Sequence, residues 1–303
     1  MISPQNGKTT SFSVSAMVRM LRPKHYIKNL LVFVPLLFSG KLMEAGLLTR
    51  AFLAFGVFCL LSSAIYIVND IRDLESDRAH STKRFRPIAA GQVSVPLAWA
   101  TALVLLLLAG GLLAMLGGDA VAWGIAGAYL AVNVLYSVVG WKNLALVDVL
   151  LLVSGFLLRL FFGATSVQVT VSNWLYLTVM AISFYMGFGK RRNEMRTEAD
   201  SPHTRGALKG YTQGFLDKAM YTCMTLSIVF YSLWSMDANT VVHHANQYAT
   251  WSVPLVLTLA FRYSMDVEKE TAGDPVEVIL GDKALWALGL AYLVLMLWVV
   301  YGF

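Results

Sequence analysis

The chain alternates between long apolar runs and short polar connectors, and the apolar runs are too long for strands. A helix needs about 20 apolar residues to cross a bilayer. By that measure the pattern predicts spans near residues 28–46, 48–69, 97–117, 120–139, 144–164, 172–189, 215–235, 249–265 and 284–302. The expected fold is therefore all-α: a polytopic membrane protein of about nine helices, with residues 1–303 forming one intramembrane domain. Residues 1–17 are rich in Ser and Thr and are expected to lack fixed structure.

Composition agrees with the pattern, because 57% of the 303 residues are hydrophobic and only 14% are charged. The net charge of +6 is unevenly placed. Arg19, Arg22, Lys24 and Lys28 precede the first span, and further basic groups follow the second, fourth, sixth and eighth. The intervening connectors carry almost none. Positive charge marks the cytoplasmic side, so the N-terminus is expected in the cytoplasm and the C-terminus outside, in a bacterial-type plasma membrane. The basic excess then suits phosphate substrates and anionic lipid, and no nucleic acid is expected as a partner. Cys59 and Cys223 both fall inside apolar runs and read as small apolar residues. No zinc spacing, P-loop or hydrolytic triad is present.

One polar stretch stands out: Asn69 to Arg86, reading NDIRDLESDRAHSTKRFR between the second and third apolar runs. Asp70, Asp73 and Asp77 are spaced i, i+3, i+7, which puts them within about 60° of one another on a helix, while Glu75 points away. Like charges on one face repel, and a hard cation removes that cost. Mg²⁺ takes oxygen ligands, keeps several waters and bridges one or two carboxylates to substrate phosphates. Arg78, Lys83, Arg84 and Arg86 follow and suit the remaining phosphate oxygens. The stretch reads as a magnesium–diphosphate site at a membrane surface. The competing reading is an ordinary solvated loop.

Other polar positions have two readings each. Lys24, His25 and Lys28 can anchor a helix at the interface or contact substrate. Asn133 and Tyr136 stand one turn apart near Trp141 and Lys142, as helix contacts, interfacial belt or ligand groups. Asp148 and Arg159 share one side of the fifth span but lie roughly 16 Å apart along it, so each needs another partner. The sixth span ends in GFGKRRNE. There Lys190, Arg191, Arg192 and Glu194 are either a topology signal or a substrate site, with Gly187 and Gly189 allowing close approach. Residues 196–210 read as a loop, and Gly273–Pro275 as a turn in a lid or linker.

These residues resemble the UbiA superfamily of intramembrane prenyltransferases. Asn69, Asp70, Asp73 and Asp77 fill every fixed position of its NDxxDxxxD motif. The following segment is similar to its basic loop ending RP-x-A-x-G, and Tyr136 and Lys142 match its tyrosine-to-lysine element. The resemblance covers nearly the whole chain and implies nine helices around a central cavity. Most members carry a second aspartate-rich motif after the sixth span. Here that place reads GKRRNE. This departure, with RPKHYIKNLLVFVPLLFSGK and GDPVEVILGD, resembles the branch that transfers phosphoribosyl groups to decaprenyl phosphate.

The resemblance implies a Mg²⁺-dependent transferase that moves 5-phosphoribosyl from phosphoribosyl pyrophosphate to a polyprenyl phosphate and releases pyrophosphate. It implies metal at Asn69, Asp70, Asp73 and Asp77. Substrate contacts are expected from Lys24, Lys28, Asn69, Arg78, Lys83, Arg86, Tyr136, Lys142, Lys190, Arg191 and Glu194. Association of copies is left open. The alternatives are a polyprenyl diphosphate:aromatic prenyltransferase and a non-enzymatic anion transporter.

Overall fold

The computed structural model describes residues 13–197, 206–237, 247–268 and 275–302, and among these every regular element is helical. Ser13 opens the first helix, α1 (Val14–Leu21), by accepting the Ala16 N–H on its hydroxyl. Val14–Met17, expected to lack fixed structure, thus belong to a helix. Pro275 itself lies within the described residues, whereas Gly273 and Asp274 of the expected turn, and residues 198–205 of the expected loop, lie outside them.

The first expected span is not a continuous α-helix. Arg22 takes a left-handed backbone (φ 55°) and is followed by an 11-residue 3₁₀ segment, Pro23–Phe33, and a single α-turn, α2 (Val34–Leu37). Pro23 and Pro35 each lack an N–H, which interrupts the α ladder. A 3₁₀ run of this length is uncommon and needs support from its surroundings. That support comes from packing: the segment lies against α3 (Leu47–Arg72) and α7 (Val147–Val167), burying Asn29 and Val32. At Gly163 of α7 an added Cβ would stand 2.1 Å from the Val32 carbonyl oxygen, so only glycine permits the approach.

The remaining elements are α4 (Leu74–Ala79), α5 (Val95–Met115), α6 (Ala120–Ser137), α8 (Asn173–Thr197), α9 (Gln213–Met236), α10 (Val253–Glu268), α11 (Pro275–Gly281) and α12 (Lys283–Tyr301). Side-chain caps start several of them: Asp119 for α6, Thr212 for α9 and Asp282 for α12. Six described helices, α3, α5, α6, α7, α9 and α12, are long and apolar enough to cross a membrane. α10, at the eighth expected span, has 16 residues.

Burial sorts the spans. The most apolar windows of α3 and α7 are 56% and 50% buried, against 17% in α6 and α12. Helices that are apolar all round and yet exposed face lipid, whereas α3 and α7 form the interior. α5 packs along α3, α6 and α8 flank α7, and α9 packs along α8. The polar ends of α3, α6, α7 and α8 are thereby brought together.

Candidate active site

The acidic stretch does not form one unbroken helix. α3 ends at Arg72, Asp73 is a turn residue (φ −88°, ψ 12°), and α4 restarts at Leu74. The backbone stays nearly helical through the junction, because Asp73 N–H donates to the Asn69 carbonyl and Asp77 N–H to the Asp73 carbonyl. Asp70 and Asp77 therefore share one partner: Arg86 Nη1 stands 3.1 Å from Asp70 Oδ1 and 2.6 Å from Asp77 Oδ2. Arg22 adds a 2.5 Å contact to Asp70 and lies over the Tyr66 ring. Asp73 has a different partner, Lys142 Nζ, at 3.2 Å. Glu75 is exposed, away from these contacts. The acidic face is thus tied by cations to three separate parts of the chain, which offsets its self-repulsion.

Beside it opens a cavity of about 250 Å³. Of the residues expected to serve chemistry, Lys28, Asn69, Asp70, Asp73, Arg86, Tyr136, Lys142 and Lys190 line it. Lys24, Asp77, Arg78, Lys83, Arg191 and Glu194 do not. Lys24 is exposed, and Arg78 donates to the Ala89 carbonyl, bracing the RPIAAG loop instead. Lys83 sits in the short 3₁₀ turn Lys83–Phe85. Asp77, 3% exposed, acts on the cavity through Arg86.

The end of α8 differs from the expectation of a basic cluster facing substrate. Only Lys190 reaches the cavity. Arg191 is fully buried, 2.5 Å from Asp148 Oδ2, ion-paired with Glu194 and donating to the Tyr136 hydroxyl at 3.2 Å. Tyr211 donates a second bond to Asp148 at 2.7 Å, and burial together with that bond pushes its phenol above the ordinary tyrosine range. Arg192 pairs with Asp217 and, at 2.8 Å, with Glu268. Consecutive helix residues point about 100° apart, so three adjacent cations cannot face one pocket. Of the two glycines, Gly187 lines the cavity and also lets α8 approach α7, since a Cβ there would stand 2.7 Å from Val149 Cγ1, whereas Gly189 faces Met220 and Val267 instead of substrate space.

Asp148 and Arg159 do take separate partners, as their spacing requires. Asp148 pairs with Arg191, and Arg159 donates to Asn29, Gly155 and Tyr129. Arg22, His25, Tyr66, Tyr129, Asn133 and Arg159 also line the cavity. Tyr129, Asn133 and Tyr136 fall at i, i+4, i+7, a face that the sequence displays but that cannot be told from helix packing by period alone.

A divalent metal fits these residues. Asp70 Oδ2 is buried and accepts no hydrogen bond, so its lone pairs are open beside Asn69 and Asp73. Among the described residues no three Asp, Glu, His or Cys form a ready cage. Mg²⁺ requires none, since water and substrate phosphate complete its octahedron.

Comparison with known proteins places the chain. Residues 32–276 match the UbiA prenyltransferase family. The decaprenyl-phosphate phosphoribosyltransferase of Corynebacterium glutamicum is 36% identical over 94% of this chain and 86% of its own. That of Mycolicibacterium smegmatis is 35% identical over 92% and 91%. Among solved structures, a UbiA homolog from Archaeoglobus fulgidus bound to GPP and Mg²⁺ superposes with a TM-score of 0.72 at 14% identity, covering 95% of this chain and all of that one. An apo UbiA homolog from Aeropyrum pernix K1 gives 0.59 at 18% identity, covering 91% of this chain and 96% of that one. In sequence and in fold, this integral membrane protein belongs to the UbiA prenyltransferase family.

Proposed function

We propose that the protein transfers 5-phosphoribosyl from phosphoribosyl pyrophosphate to a polyprenyl phosphate, with Mg²⁺ as cofactor. The observation that carries this reading is the charge balance of the cavity. Six cations, Arg22, Lys28, Arg86, Lys142, Arg159 and Lys190, line it against two carboxylates, Asp70 and Asp73. An allylic diphosphate brings one phosphorylated end. Phosphoribosyl pyrophosphate and a lipid phosphate together bring three, and guanidinium and ammonium groups suit them. A prenyl transfer onto an aromatic acceptor is less well served, because the end of α8 presents Lys190 to the cavity where a second set of carboxylates would be needed. The names of the relatives agree with this choice.

Asp70 and Asp73, with Asn69, would hold the metal, and Asp77 would orient Arg86 beside it. The bound metal supplies charge stabilisation to the departing pyrophosphate. Arg86, Lys142 and Lys190 bind the phosphate oxygens and hold them as the anomeric C–O bond breaks. Arg191 fixes the Tyr136 hydroxyl at the rim. A lipid phosphate oxygen forms the new bond to the anomeric carbon from the opposite face, and the electron pair leaves with pyrophosphate. A phosphate is already an anion at neutral pH, so no general base is needed.

The site opens to the cytoplasm of a bacterial-type plasma membrane, in this proposal, with the N-terminus on the same side. The support is the one-sided distribution of Lys and Arg. Purified protein incubated with labelled phosphoribosyl pyrophosphate and a polyprenyl phosphate should yield labelled lipid with Mg²⁺ and none with EDTA. Labelled lipid formed equally in EDTA would contradict the metal role. No labelled lipid, together with a prenylated aromatic product when a prenyl diphosphate and an aromatic acceptor are supplied, would replace the reaction.

A further inference from the structure

Three arginines are buried among the described residues, and they are not alike. Arg191 and Arg192 each pair with carboxylates. Arg159, 6% exposed, pairs with no carboxylate among the described residues. Its partners are dipoles: Nε donates to Asn29 Oδ1 at 2.7 Å, Nη1 to the Gly155 carbonyl at 2.7 Å and Nη2 to Tyr129 Oη at 2.8 Å. Aromatic rings of Tyr129, Phe58 and Phe156 lie 4.9, 5.6 and 5.9 Å from its guanidinium carbon. Of five N–H donors, two remain. A full charge at this depth without a counter-ion is expensive, and an apolar side chain would pack more cheaply. Arg159 also differs from the other two in lining the cavity.

Its place in the fold adds a second constraint. Asn29, which holds Arg159, is itself held by Ser62 on α3 at 3.2 Å. Ser62 precedes Asp70 by two helical turns, so Arg159 sits roughly 12 Å below the acidic end. The cavity therefore has two poles: carboxylates and cations at its mouth, and a lone, rigidly held guanidinium at its floor. A sugar phosphorylated at both ends can bridge such a pair.

We infer that Arg159, positioned by Asn29 and Tyr129, forms a second phosphate subsite at the floor of the cavity, binding a phosphate monoester. The inference rests on the proposed function for its substrate classes. Two sources share this chemistry: the 5-phosphate of the donor and the phosphate of the lipid acceptor. The depth favours the donor's 5-phosphate. In either case the ligand supplies the counter-charge that the protein withholds, and the guanidinium offers its remaining N–H groups without reorganising.

The test needs neither metal nor turnover. Full-length protein in detergent is titrated in EDTA with ribose 5-phosphate and, separately, with geranyl monophosphate. Arg159→Met should weaken one of them by roughly 10- to 150-fold, the usual loss for a charge-assisted phosphate contact. Loss of ribose 5-phosphate assigns the subsite to the donor, and loss of geranyl monophosphate assigns it to the acceptor. Wild-type protein that binds neither, or Arg159→Met protein that binds both as wild type does, overturns the inference. If Arg159→Met does not fold, Tyr129→Phe decides, since it keeps the ring on Phe58 and removes only the hydroxyl. Weaker binding of either ligand supports the subsite and assigns it, and unchanged binding of both overturns it. Intact binding without any lipid product in the transfer assay would sink the reaction and leave the subsite standing.

Discussion

At the scale of single residues, neighbours in sequence have opposite tasks. Lys190 lines the cavity, whereas Arg191 is fully buried between Asp148, Glu194 and Tyr136. Lys190→Ala should lower thermal stability less than loss of its buried neighbour and raise the donor's KM by roughly 10- to 150-fold, with little effect on the lipid's. Arg191→Met should instead strand Asp148 as a buried charge and cost about 3–5 kcal/mol of stability, read as a lowered melting temperature. Equal melting temperatures for the two variants would contradict this division. Asp73→Asn should abolish turnover with the fold intact, because the only charged partner it loses among the described residues is Lys142. Exposed Glu75→Gln should retain most activity. Comparable losses at Asp73 and Glu75 would contradict the assignment of faces. The sequence displayed the acidic residues and their spacing plainly. It could not separate Lys190 from Arg191, because a run of cations at a helix end does not say which one the packing of α7 and α8 will enclose.

At the scale of elements, the wall formed by Pro23–Phe33 was the least legible part. Its residues are apolar enough to read as a span, and the two prolines were visible, yet the 3₁₀ course depends on α3 and α7. Those helices supply the partners for Asn29, namely Cys59, Ser62 and Arg159. Backbone that leaves the α-helical course at membrane depth survives where protein or a cavity encloses it. Gly163→Ala tests this wall, since its Cβ would overlap the Val32 carbonyl. The substitution should cost about 1–3 kcal/mol and lower activity by displacing Lys28. Gly111→Ala, with nothing within 4 Å, should be neutral or slightly stabilising. A melting temperature unaffected by Gly163→Ala would show that the wall can move aside. The long apolar helices α3, α5, α6, α7, α9 and α12 were by contrast legible from the run of residues alone, since lipid and interior both demand apolar side chains.

At the scale of the whole molecule, the bundle brings the polar ends of several helices to one side, and the basic connectors lie with them. A water-soluble donor and a water-soluble product need an aqueous entrance there, while a polyprenyl tail gains little by leaving the bilayer and can enter between helices. Ser76 and Ser81 are exposed near the acidic stretch. Introduced as Ser76→Cys and Ser81→Cys, they should react with a membrane-impermeant thiol reagent in inside-out vesicles only, and phosphoribosyl pyrophosphate should protect the first. Labelling of right-side-out vesicles would reverse the orientation. The central claim is that phosphoribosyl, and not a prenyl group, is transferred, with cleavage at the anomeric carbon. Its most direct test is a pair of reactions with purified protein, Mg²⁺ and polyprenyl phosphate, using phosphoribosyl pyrophosphate labelled either at the 5-phosphate or at the terminal pyrophosphate phosphorus. The first label should pass into extracted lipid and the second should remain wholly in water as pyrophosphate. Label from the terminal position in the lipid, or none from the 5-phosphate, would contradict the account.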